Sequence, residues 1–130
     1  MRGFGLKRGA LASTVGHDSH NLSIIGMNDR DMLVAARALA TCGGGQCVVN
    51  NGIVRALLPL PIAGLMSDQP APTIVKQQRA LHEASRGLGC PLDDPFMPLS
   101  FMSLAVIPKL KLTDRGLVDV DRFEIVSLGV

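Results

Sequence analysis

The residues best suited to chemistry lie together in His17-Asp18-Ser19-His20-Asn21, the densest group of titratable and coordinating side chains in the chain. Two imidazoles at i and i+3 with a carboxylate between them can bind a divalent metal, which makes His17 and His20 candidate ligands, or can orient a base. No third or fourth ligand stands nearby in sequence. The same five residues also read as a strand-connecting turn, in which Asp18 and Asn21 satisfy backbone amides and the histidines pack at a contact.

Other candidates reduce to structural readings. Asp93-Asp94 is a carboxylate pair, but neighbours in an extended loop point apart and Pro95 fixes the backbone, so a loop corner is expected instead of an acid and base pair. His82 shares a helix face with Gln78 and Ser85 and reads as a partly buried histidine. Lys7-Arg8 is expected to be solvated on a strand edge. Gly43-Gly44-Gly45 follows a helix where a phosphate cradle would precede one. Cys42, Cys47 and Cys90 make neither an even disulfide set nor a C-x-x-C pair, and read as small buried hydrophobes of a reducing compartment. The H-x-E and P-C-x-x-C pattern of zinc nucleoside deaminases is absent.

Elements must position these residues. Phe4 to Val15 reads as a strand with glycine bends, and Leu22 to Met27 as a short buried strand. Asn28 or Asp29 can cap a helix from Asp29 to Cys42, in which Met32, Leu33, Ala35, Ala36 and Leu39 recur at helical spacing. Gln46 to Val49 and Ile53 to Leu58 flank Asn50-Asn51-Gly52, a hairpin signal because Asn and Gly tolerate positive φ. Ile62 to Met66 suggests a turn of helix, and Pro72 to Leu88 a second long helix ended by glycines. Cys90 to Pro98 holds three prolines and reads as a loop. Leu99 to Ile107 is either helical or extended, Leu110 to Gly116 reads as a turn, and Phe123 to Leu128 as a closing strand. The order predicts one domain over residues 1–130 with an α/β (α+β) sandwich fold: a mixed sheet carrying a β-hairpin, with two main helices packed on it.

Composition narrows the function classes. Hydrophobic residues make up 47% of 130 residues and charged residues 18%, enough to bury a core. The formal net charge of +2 is scattered, and with four Phe and no Tyr or Trp there are no stacking aromatics among the cations, so a nucleic-acid groove is not expected. The apolar stretch from Ala56 to Met66 is broken by Pro59, Pro61 and Gly64 and is too short to span a membrane. No secretory signal is evident, and a cytoplasmic protein is expected. Within that stretch, Leu60, Ile62, Leu65 and Met66 are candidates for an interdomain or intersubunit surface, unless the segment simply crosses the core.

Five stretches, in order, carry a resemblance. They are residues 3–10 (GFGLKRGA), 17–21 (HDSHN), 58–67 (LPLPIAGLMS), 94–101 (DPFMPLSF) and 107–117 (IPKLKLTDRGL). Together they resemble the C-terminal domain of bacterial adenine deaminases, of the metal-dependent amidohydrolase superfamily. The resemblance implies a parent enzyme that converts adenine and water to hypoxanthine and ammonia. Such a parent uses a (β/α)8 barrel whose manganese or iron centre activates the water. That barrel is absent here, as is its H-x-H ligand pair, so no metal cofactor is expected in this chain. The family's domain is also expected to begin before Gly3, leaving out its first strand or strands. The resemblance makes a barrel domain or subunit the expected partner, and His17, Asp18, His20 and Asn21 candidates for the rim of its active site. Two other readings remain: a stand-alone purine-binding or interaction module, and a homo-oligomer that buries the surface a barrel would cover.

Overall fold

The computed structural model describes residues 3–128. Strands β1 (Ala10–Ser13), β2 (Ser23–Gly26), β3 (Gly45–Asn50) and β4 (Ile53–Pro59) form a sheet in the order β2-β1-β3-β4. Helix α1 (Asp29–Thr41) lies between β2 and β3 in sequence, and helices α2 (Ala71–Gly87) and α3 (Phe96–Ser100) follow β4. A second sheet, β5 (Leu110–Thr113), β6 (Gly116–Asp119) and β7 (Glu124–Val126), closes the chain.

Side-chain alternation along the strands builds the layers. Ala12, Cys47 and Val49 face α1 and pack with its Ala35 and Leu39. Leu11, Val48, Ala56 and Leu58 face the other way, onto Leu81 of α2 and Phe96 and Leu99 of α3. Helices therefore cover both faces of the main sheet, which is an α+β sandwich. Every residue of the central strand β1 is buried for this reason, and its Ala-Leu-Ala-Ser sequence shows no polar alternation. Each fully buried leucine, such as Leu11, Leu81 or Leu99, stabilises the fold by about 1.5–3 kcal/mol.

The helix from Asp29 and the Asn-Gly hairpin are found where the spacing predicts them, and Asn28 is the cap: its Oδ1 accepts from the Asp31 amide at 2.8 Å. The expectation of a mixed sheet is corrected, since every strand pair is antiparallel. The first strand is shorter than Phe4 to Val15. Gly9 takes φ +72, and a Cβ there would strike the Val49 carbonyl, so the chain bends before β1 while Phe4 and Leu6 still reach the core. The strand read at Leu22 to Met27 is half-buried, because β2 is the sheet's edge. Ile62 to Met66 is a closed turn with one bridge between its ends, not a turn of helix. Helix α3 begins inside the segment read as a proline loop, where Asp94 Oδ1 accepts from the amides of Phe96 and Met97. Leu110 to Gly116 is not a turn alone. It is a strand and the start of its hairpin partner, and Thr113 Oγ1 donates to the Gly116 carbonyl at 2.9 Å across the bend. The strand expected near the end exists as β7, yet it closes the second sheet.

One buried carboxylate ties helix to hairpin. Asp31, in the first turn of α1, accepts from Gly52 N at 2.6 Å, from Asn51 N at 3.3 Å and from Asn28 Nδ2 at 2.9 Å. Burial by itself would raise the Asp31 pKa. The hydrogen bonds from Asn28, Gly52 and Asn51, with the Arg30 charge, outweigh it and hold the carboxyl below its ordinary 3.8. A group whose folded pKa is depressed stabilises the fold above its unfolded value and loses that contribution as pH falls through the folded one. We therefore expect Asp31→Asn to destabilise the chain by about 2 kcal/mol in neutral urea denaturation. On acidification below pH 3.8 the wild-type chain should lose stability more steeply than the variant.

Candidate functional site

The His17–Asn21 loop leaves the end of β1 and closes on itself. His20 N donates to the Gly16 carbonyl at 2.6 Å, and Gly16 N donates back to His20 Nδ1 at 3.3 Å. The turn requires a left-handed backbone at His20, whose φ is +51. Two further bonds pin the loop to the end of α3: His17 N donates to the Ser100 carbonyl at 2.7 Å and Ser103 Oγ to the His17 carbonyl at 3.0 Å. The His17 ring stacks on Phe101 with centroids 5.1 Å apart and planes 19° apart. His20 lies 5.6 Å away at a tilt.

The fold thus brings His17 and His20 together, while Asp18 and Asn21 stay exposed and Asn21 Nδ2 donates to Ser19 Oγ. Among the described residues no group of three or more His, Cys, Asp or Glu could hold a metal ion. The residues present do not suit a metal centre of the barrel kind, and His20 Nδ1 is already an acceptor for Gly16.

Two clefts flank the loop. The smaller, about 180 Å³, is lined by His17 together with Gln46, Gln78, Asp94 and Ser100. The larger, about 460 Å³, runs from Asn21 to Ile24 past Met102 and Ser103 to Leu112, Thr113 and Asp114. Gln46 and Gln78 escaped sequence reading as site residues. The i to i+4 spacing of Gln78 and His82 on one helix face was the available signal. His82 Nε2 stands 3.6 Å from Asp94 Oδ1, joining α2 to the start of α3.

The remaining candidates have structural work. Asp93 faces Arg86 at 3.2 Å in full solvent while Asp94 caps α3, so the two carboxylates serve different partners. Arg8 is not merely solvated: its guanidinium donates to the Gly87 carbonyl at 2.6 Å, at the C-terminal end of α2, where a cation is favoured. Cys42, Cys47 and Cys90 are free thiols. Burial, with the nearby Cys42 adding to it, pushes the Cys47 thiol up to about 12 and leaves it a poor nucleophile. The apolar segment proposed as a contact surface divides: Leu60 is buried in the core at 7% exposure and Leu65 is half-buried, whereas Ile62 and Met66 are exposed at 46% and 57%. Thr14 Oγ1 anchors its turn by donating to the Gly64 carbonyl at 2.6 Å. Leu60 is fixed by its own amide, which donates to the Gly44 carbonyl at 3.0 Å.

A family model described as the adenine deaminase C-terminal domain matches residues 1–124. The chain belongs to that family. Its relatives include the adenine deaminases of Moorella thermoacetica, 57% identical over 98% of this chain, and of Clostridium botulinum, 51% identical over all of it. That of Oleidesulfovibrio alaskensis is 57% identical over 97%. In each case the match spans 22% of the relative's own length. Among the described residues no helix is long and apolar enough to cross a membrane.

The stacking of His17 on Phe101 makes a direct prediction. Phe101→Leu should move the His17 ring protons downfield in NMR spectra, as the ring current is lost, and lower stability by about 1 kcal/mol.

Proposed function

We propose that this chain is the C-terminal domain of an enzyme that hydrolyses adenine to hypoxanthine and ammonia, and that it positions its parent's catalytic barrel without carrying the chemistry. The observation that carries this reading is the match itself: proteins named adenine deaminase align with nearly all of this chain but over 22% of their own length. The bulk of such an enzyme lies elsewhere. The manganese or iron centre and the water it activates belong to that other part. Three free thiols suit the cytoplasm, where thiols stay reduced.

Within this chain the His17–Asn21 loop is the segment offered to the active-site rim. Two imidazoles and the Asn21 amide supply hydrogen-bond donors and acceptors of the kind a purine edge needs. The bonds to Ser100 and Ser103 hold the loop still, so the ordering cost on binding is small. Such a loop contributes orientation, not bond breaking.

Purified chain assayed with adenine, with and without manganese, is expected to show no turnover. An enzyme-like rate would overturn the reading, and heat of adenine binding in calorimetry would favour a purine-binding module instead. In a full-length relative, glutamine at the positions aligned with His17 and His20 should raise KM about tenfold, near 1.4 kcal/mol, with little change in kcat. An unchanged KM assigns the loop a purely structural role.

A further inference from the structure

Strand β5 of the second sheet has its polarity reversed. On β5, Lys111 is buried at 6% exposure, with Nζ donating to the carbonyls of Pro108 and Leu110 at 3.4 Å, while Leu110 and Leu112 are exposed at 53% and 48%. Water alone selects the opposite arrangement, because each exposed leucine forfeits the burial that would stabilise it. The register places Leu117 beside Leu112, and Val126 beside Leu117, on the same face. The strands of this sheet contact one another far more than they contact the main sheet or the helices. A three-stranded sheet of this length is stable only when an apolar face is covered.

The apolar face does not end at β5. The 460 Å³ cleft links Leu112 to Met102 and to Leu22 and Ile24, at the start of β2. Leu22 is itself exposed at 43%, and Asn21 stands at the same cleft. One continuous surface thus runs from the second sheet to the His17–Asn21 loop. Exposed leucines gathered beside one cleft point to a contact.

The extra length of the relatives supplies the occupant. Each carries this domain as 22% of its chain, so a body several times larger is covalently joined to it, at an effective concentration no free partner matches. We infer that the Leu110 and Leu112 face, with the cleft joining it to β2, docks against the polypeptide that precedes this domain in adenine deaminases. The inference rests on the reading of this chain as part of the whole enzyme, and its test reads protection instead of activity.

Hydrogen exchange measured by mass spectrometry on this chain and on the full-length Moorella thermoacetica enzyme should show residues 110–119 exchanging at least about tenfold more slowly in the full-length protein. Equal exchange overturns the inference. So does a dimer of this chain in light scattering whose protection at 110–119 rises with concentration, which assigns the face to a second copy. Leu112→Asn should leave the unfolding midpoint of this chain unchanged and, at the aligned position of the full-length enzyme, remove the protection. A lowered midpoint in this chain would make Leu112 internal packing and also overturn the inference. If protection is seen while the His17 and His20 substitutions leave KM unchanged, the docking face stands and the rim assignment fails.

Discussion

The Asp31 carboxylate is the point at which α1, its cap and the β3–β4 turn become one unit. It is 2% exposed and takes three hydrogen bonds, two of them from backbone amides of the turn. A buried carboxylate is tolerated only when donors replace the water it has lost. Here the donors belong to Asn51 and Gly52, so the charge is stable only when the hairpin is folded against the start of the helix. Helix placement and hairpin register are consequently set together, and the layer of Ala35 and Leu39 falls onto Cys47 and Val49.

From that corner the main sheet follows. Strands β1 and β3 lie at its centre and are covered on both faces, so small residues on β1 let α1 approach closely. The other face receives α2, and α3 packs at its end. Phe96 and Leu99 enter the core there, and the end of the short helix with the turn after it presents Ser100, Phe101 and Ser103 to the His17 loop. The loop is thereby tied to the core. Its histidines are held by backbone bonds and ring stacking, which are the contacts of a positioned surface element.

The division of the molecule follows from the same contacts. One side is a closed sandwich in which Asp31 and Asp94 accept from backbone amides. The other carries a strand with its leucines exposed and its lysine buried, and a cleft leading back to the His17–Asn21 loop. In the relatives this domain is a minor share of the chain, and the open side is the face we infer to dock against the rest of it.

Local chemistry made several parts of this protein legible from sequence. Asn28 caps α1 because its side chain reaches an amide three residues on, Asn51-Gly52 turns because it accepts positive φ, and the ordered motifs from Gly3 to Leu117 identify the family. Each of these depends on neighbours along the chain. The rest depended on partners distant in sequence. Nothing local to Asp31 announces that its acceptors would be filled 20 and 21 residues later. Leu60 resembled its exposed neighbours until its bond to the Gly44 carbonyl and the core took it inward. The strand from Leu110 to Thr113 read as a turn because Thr113-Asp114-Arg115-Gly116 follows it directly, and only the pairing with Gly116–Asp119 shows which face each residue takes. Alternation and caps are written into adjacent residues, whereas the side on which a residue is buried is decided by what the whole chain brings to it.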